Sequence, residues 1–345
     1  MIQPAELLAD SHWLPHRLDR EDDRLVMRRL DRSAHAHATF LEENYYGASI
    51  AEADLPMGAV RRWAATQPKP SMRLVVHSSM ALSTLTTRLF DQPGAAMAYK
   101  EPILLSQLAK FDRANLLQDN DHDALIALFF RTFDGDPVLI KPGSPANRLA
   151  SRWLAPGNPC KVLIQAAPVR DFLRSVAKRG TRGRTIYRRL YALVRRDFPL
   201  PGLFDDDAER FELTDLQCAA LAWFHQILFF IELAERYPDR VRTLDSQDFL
   251  AAPQASAAAM TRFFDLPLDL NKQNEAGVFE RHSKINGRAF GVADRDREQA
   301  EIEALYAREL DEVTGWFLSV LDKGVGIRVD LPQRLLDPPG HPRPR

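Results

Sequence analysis

Residues Met72 to Leu104 read MRLVVHSSMALSTLTTRLFDQPGAAMAYKEPIL, and this stretch decides the fold. Met72–His77 is a short apolar run after the Lys69-Pro70 break, the pattern of a buried parallel strand. Ser78–Leu82 reads as a loop. Ser83 and Thr84 then open a helical spacing of Leu85, Leu89 and Phe90, with Ser83 as the N-cap. Strand, loop and helix N-terminus in that order bring unpaired N–H groups and the positive end of a helix dipole to one point, which is an anion site. Ala95–Tyr99 follows the Asp91–Gly94 turn as a second strand and ends in Lys100-Glu101-Pro102. Parallel strands present their C-terminal ends to one edge, so Glu101 is expected beside that anion site. Pro102 predicts extended backbone at Glu101, and alternation along the strand turns Lys100 to the opposite side.

Working outward, Pro137–Ile140, Cys160–Ala166 and Arg240–Leu244 are three more buried strands, with helical patterns between them. Asp215–Arg236 is a long apolar helix. Its uncharged run, Leu216–Ile231, carries Gln217, His225 and Gln226, so a core helix is expected and no stable membrane insertion. Residues 1 to about 70 read as mostly helical, with helices over Leu18–Leu30, Ser33–Asn44 and Ala51–Ala65. His12/His16 and His35/His37 are read as solvated or structural, not as ligand pairs: Pro15 interrupts the first pair and the second diverges on a helix. Arg174–Arg196 is the strongly basic segment. Arg182 or Arg184 near a Gly180–Gly183 turn is read as anion-binding, against a solvated face paired with Asp205–Asp207.

Across 345 residues, 46 Lys and Arg oppose 47 Asp and Glu, a net charge of −1. That balance argues against a nucleic-acid partner and against an acidic solvating tail. The two cysteines, Cys160 and Cys218, make no disulfide framework, and no basic-then-apolar order at the start suggests a secretory signal; a cytoplasmic protein is expected. No Cys, His or carboxylate cluster has metal-ligand spacing, so no metal is implied.

The pattern HSSMALSTL…LFDQPG…KEPILL resembles the donor-binding region of bacterial sulfotransferase-like proteins. Two later segments extend the resemblance to about residues 70–320. One is Pro137–Ile140 ending in Lys141-Pro142 with an Asn-containing loop after it; the other is Arg240–Leu244 followed by DSQDFLAAPQASAAAMTRFFDLPL. The resemblance implies a three-layer α/β/α, P-loop NTPase-like domain with a mainly parallel sheet over residues 71–325. An N-terminal helical region (1–70) and a C-terminal tail (326–345) complete the chain. It also implies the sulfuryl donor PAPS as co-substrate and a small-molecule or carrier-bound acceptor. Ser78, Ser79, Ser83 and Thr84 would hold the donor's sulfate end, and Ser175 with Arg170 or Arg174 its 3′-phosphate. Glu101 would be the general base, and Lys284, with Arg288 near it in the loop Phe279–Gly291, would assist the leaving group. The chain departs from the family pattern at two places. Met80, Ala81 and Leu82 stand where the family has a cation and a glycine before the Ser/Thr pair, and Ala166 or Ala167 stands where an arginine is expected. These departures keep a second reading open, a non-catalytic binding or scaffold protein on the same fold with a decayed donor site. A kinase is disfavoured because GxxxxGK[ST] is absent.

Overall fold

A computed structural model describes residues 2–45, 50–200, 202–271, 292–323 and 329–336. The protein is α/β. Among the described residues eight strands form two sheets: β1 (Trp13–Asp19), β2 (Arg24–Arg29) and β3 (Glu52–Pro56) in one, and β4 (Met72–His77), β5 (Met97–Lys100), β6 (Val138–Lys141), β7 (Cys160–Ala166) and β8 (Val241–Asp245) in the other. The second is the expected parallel sheet, in the order β5-β6-β4-β7-β8. Met97 to Lys100 pair in register with Val138 to Lys141, so both strands end together at Lys100 and Lys141. The chain divides into two compact units. Of the described residues, one gathers those up to Val76, Ser83–Leu163 and Ala257–Asn271; the other gathers His77–Leu82, Ile164–Ser256 and the residues from Val292 on.

In the first unit the N-terminal region departs from the expected run of helices. Leu18–Leu30 is a hairpin, and β3 occupies the start of the helix expected over Ala51–Ala65. The cause is turn chemistry hidden in a charged run. Asp19 Oδ1 accepts from the N–H groups of Glu21 and Asp22 at 3.1 and 3.3 Å, and Asp23 takes a left-handed φ of 48°, so the chain reverses where a helix would continue. Leu25, Val26 and Met27 are all buried in the middle of β2, between exposed Arg24 and half-exposed Arg28. Pro15 lies at a register shift in β1, where a missing N–H is tolerated. Short helices do form, at Pro4–Ala9, Arg32–His37 and Met57–Ala64.

A buried ionic cluster ties Arg32–His37 to β5. Lys100 is fully buried, and its Nζ donates to Asp91 Oδ2 at 2.6 Å and to the carbonyls of His35 and Ala36 at 2.9 and 3.0 Å. Arg32 reaches the other Asp91 oxygen at 2.5 Å. Burial alone would raise the Asp91 carboxyl, but the charges of Lys100, His35 and Arg32 hold it below the usual carboxylate range.

In the second unit, the helix Asp215–Arg236 is the core. Thr214 and Gln217 close its N-terminus with a reciprocal capping box. Among the described residues it is long and apolar enough to cross a membrane, yet 78% of its apolar window is buried inside the protein. The Gly180–Gly183 turn is tighter than expected: helices Val169–Lys178 and Gly180–Asp197 follow one another, with Gly180 at φ 58° as the joint. Gly183 lies inside the second helix, where a Cβ would meet the Val176 carbonyl at 2.7 Å and Arg179 Cβ at 2.5 Å. Gly183→Ala is therefore expected to cost about 1–3 kcal/mol in urea unfolding, because backbone must move to admit the methyl. Within the segment 326–345, Thr243 in β8 exchanges backbone bonds with Gln333 and Leu335 (2.9 and 2.8 Å), and residues 337–345 lie outside the described residues.

Besides His77, four histidines are buried among the described residues: His16, His35, His122 and His225. Burial is the leading cause that lowers each of their pKa values, His16 to about 4. With the folded pKa depressed, only the unfolded chain takes up protons just below the free histidine value of about 6.5, so stability falls as pH drops through that value. The urea midpoint is expected to be lower at pH 5 than at pH 7.

Candidate active site

Glu101 and Lys141 close the C-terminal ends of the adjacent strands β5 and β6. Glu101 N–H donates to the Lys141 carbonyl at 2.7 Å, and Lys141 Nζ donates to Glu101 Oε1. The lysine side chain is 1% exposed and the glutamate 20%. Burial pushes the Lys141 pKa down, while the Glu101 and Glu42 carboxylates oppose that shift. Phe40 presents its ring 5.2 Å from Lys141 Nζ. Glu42 completes the group: burial and the neighbouring Glu101 charge raise its pKa, against Lys141. Two carboxylates thus share one buried cation, and their environments differ, the usual arrangement for separating acid and base roles.

The backbone holds this group in an unusual geometry. Glu101 is left-handed, φ 51°, not the extended residue that Pro102 predicts. The segment before Glu42 explains the override. Leu41 N–H donates to the Lys100 carbonyl at 2.7 Å and Leu41 C=O accepts from Ile103 N–H at 3.2 Å, clamping the chain on both sides of Glu101. A left-handed non-glycine residue costs roughly 1–2 kcal/mol, and such strain collects at functional positions. A Cβ built on Gly143 would stand 3.5 Å from Glu101 Oε2 and from Ser106 Oγ, so the glycine lies beside the second carboxylate oxygen.

At the same strand edge, Ser83 and Thr84 begin the helix Ser83–Phe90, as expected. Both are buried, at 4% exposure each, and their carbonyls accept from Thr87 Oγ1.

The loop Ser78–Leu82 belongs to the second unit and concentrates left-handed backbone. Ser79, Met80 and Leu82 have φ of 68°, 53° and 61° with no glycine among them. His77 turns its ring to this loop: Nδ1 accepts from Ser79 N–H at 3.0 Å. Ser78, expected at the donor, is instead spent on the protein. It is fully buried, accepts from Ala167 N–H at 3.3 Å, and its own N–H donates to Gln165 C=O at 3.1 Å. Gln165, which the sequence reading passed over, is fully buried at the end of β7 with neither amide atom hydrogen-bonded. Such a group carries its whole desolvation cost, so it marks the spot for a polar partner.

Met80 and Leu82 line a cavity of about 160 Å³ together with Arg174, Ser175, Lys178 and Gln247. The loop and the expected 3′-phosphate residues Arg174 and Ser175 therefore meet. The cations there are already neutralised within the chain. Arg174 bonds Asp171 and reaches Glu303 at 3.4 Å, and Lys178 bonds Glu298. Arg170 lies outside that lining and pairs with Glu303 and Asp311 at 2.5 and 2.7 Å. Arg184, read as anion-binding, is held bidentate by Glu309 at 2.6 and 2.7 Å. The acidic partners Glu298, Glu303, Glu309 and Asp311 all come from the helix Val292–Lys323, whose charge spacing was not read against the basic segment. Lys284 and Arg288 lie outside the described residues.

Glu42 and Phe40 were also missed, because their role depends on a backbone contact with β5 that no local pattern announces. Among the described residues no group of three or more His, Cys, Asp or Glu could hold a metal ion. Comparison of the chain with protein-family models and with curated proteins gave no match.

Proposed function

We propose that this protein transfers a sulfuryl group from PAPS to a hydroxyl or amine acceptor, on a three-layer, P-loop NTPase-like fold. The observation that carries the reading is the buried Lys141–Glu101 pair, flanked by Glu42, at the C-terminal edge of a parallel sheet. Glu101 Oε1 is held by Lys141, and Oε2 is the oxygen that takes the acceptor's proton. The acceptor oxygen or nitrogen attacks sulfur, the bond from sulfur to the bridging phosphate oxygen breaks, and adenosine 3′,5′-bisphosphate leaves with the electron pair. The step is an in-line displacement in which positioning and charge stabilisation do most of the catalysis. The helix start at Ser83 and Thr84 would receive the sulfate-phosphate end, and Ser175 with Arg174 the 3′-phosphate; Lys284 and Arg288 keep their assigned roles as part of the proposal. The left-handed run at Ser79, Met80 and Leu82 supports a backbone anion nest.

A second reading, a non-catalytic binding or scaffold protein, is favoured by one specific observation: Arg170 and Arg174 are both bonded to carboxylates of the chain itself. Calorimetric titration with adenosine 3′,5′-bisphosphate separates the two. The sulfuryl-transfer reading expects one saturable site per chain, tightened when Glu303→Gln removes the one carboxylate that Arg170 and Arg174 share. Absence of binding in both forms leaves the scaffold reading standing.

A further inference from the structure

We infer that the first half of the helix Val292–Lys323, up to Leu305, is a detachable internal anion. It occupies Lys178 and Arg174 in competition with the phosphate of an incoming ligand, and Lys178 becomes a phosphate-binding residue when it withdraws. The inference rests on the donor site proposed above, since it takes that phosphate to be the donor's 3′-phosphate.

A matched charge ladder joins this helix to the basic segment. Arg170, Arg174 and Lys178 lie four residues apart, so they project from one face of the helix Val169–Lys178. Opposite them, Arg170 meets Asp311 and Glu303 at 2.7 and 2.5 Å, Arg174 meets Glu303 at 3.4 Å, and Lys178 bonds Glu298. Numbers fall on one helix as they rise on the other, so the two run antiparallel and the acidic face covers the basic one turn by turn.

The two halves of the acidic helix are held by different forces. Leu310, Val313 and Phe317 are buried, and the Phe317 ring packs edge-on against Trp223 and Phe224 at 5.9 and 5.6 Å. Between Arg297 and Tyr306 no described residue is buried, and Leu305 is 73% exposed. The half that carries Glu298 and Glu303 is therefore attached mainly by ion pairs between partly exposed side chains, which are individually weak and screened by salt. The other half is attached by apolar burial, which salt does not screen.

That weakly attached half also closes the cavity. Glu298, Gln299 and Ile302 form one wall of the space at Met80, Leu82 and Ser175. At about 160 Å³ the space is below the roughly 300–1,000 Å³ of ligand pockets, so the wall has to withdraw before a nucleotide's phosphate and ribose enter. Withdrawal takes Glu298 from Lys178, while Arg174 keeps Asp171 and Arg170 keeps Asp311. Lys178 lies one turn from Arg174 and Ser175, so ammonium, guanidinium and hydroxyl then face a single anion.

Hydrogen exchange of the full chain reads the attachment directly. Amides between Arg297 and Leu305 are expected to exchange faster than those between Leu310 and Leu321. Raising sodium chloride from about 0.05 M to about 1 M should speed the first group about tenfold and leave the second unchanged. Glu298→Gln combined with Glu303→Gln should reproduce that speeding at low salt, which simple fraying of a helix end would not. Calorimetry supplies the competition: the double variant should bind adenosine 3′,5′-bisphosphate about tenfold more tightly, and Lys178→Gln about tenfold more weakly, with adenosine 5′-monophosphate unchanged in both. The urea midpoint checks that each variant is folded; should the double variant fail that check, Lys178→Gln decides. An equal salt response in the two halves, wild-type exchange in the double variant, or bisphosphate binding that neither substitution changes, undetectable binding included, overturns the inference. Turnover is read separately: tightened bisphosphate binding without sulfuryl transfer keeps the internal anion and removes the transfer reading, whereas transfer with binding indifferent to the substitutions removes the internal anion alone.

Discussion

Glu101→Gln is expected to lower sulfuryl-transfer turnover by about 10²–10⁴ while adenosine bisphosphate still binds, because general-base catalysis contributes about that much. Glutamine keeps the volume of the side chain and can still turn its amide oxygen to Lys141, but it accepts no proton from an acceptor hydroxyl. The substitution also leaves Lys141, a fully buried cation, without its nearest anion. Glu42 already interacts with the same lysine and moderates that loss. Urea unfolding should therefore show a folded but weakened protein, and turnover is to be compared at a temperature where both forms are native. Glu42→Gln is the informative companion: Glu101 then keeps its position, so a smaller fall in turnover is expected. Near-wild-type turnover in Glu101→Gln, with bisphosphate binding intact, would remove Glu101 from the base role while leaving the donor site standing.

Lys100→Ala is expected to be the most damaging single change to stability, by about 3 kcal/mol or more, although Lys100 adjoins the candidate base in sequence. Its ammonium is buried against Asp91, whose side chain is 2% exposed, and it also satisfies the carbonyls of His35 and Ala36. Removing it leaves a desolvated carboxylate with Arg32 as its remaining close cation and two buried carbonyls short of a donor. Lys100→Met, which keeps most of the stem's packing, should recover little, because charge and hydrogen bonds are what is lost. Asp91→Asn combined with Lys100→Met should recover more than either change alone, since it removes both charges. The urea midpoint reads all of these; a loss near zero in Lys100→Ala would show that water or Arg32 compensates the buried carboxylate.

The apolar runs determined the parallel sheet. Each of the five expected strands appears within a few residues of its place, because a strand buried on both faces must be continuously apolar whatever surrounds it. The helix Asp215–Arg236 was legible to the residue, since its cap, Thr214 with Gln217, and its end before Pro238 are local signals. Glu101 at a strand terminus was likewise legible. What faced Lys100 was not: Asp91 meets it through the fold.

The tertiary structure alone decided the rest. Charge density at Leu18–Leu30 suits a helix or a hairpin equally, and the choice went to the hairpin, where Asp19 caps a turn and β3 covers β2. Glu101 abandoned the extended geometry that Pro102 favours because Leu41 and Lys141 bond the chain around it. The basic segment looked open to anions because its counter-charges lie more than a hundred residues later, on a helix that supplies Glu298, Glu303 and Glu309. Local sequence fixes which residues are apolar, helical or turn-forming. Which charge meets which is set by long-range packing, and that pairing has no local spacing to reveal it.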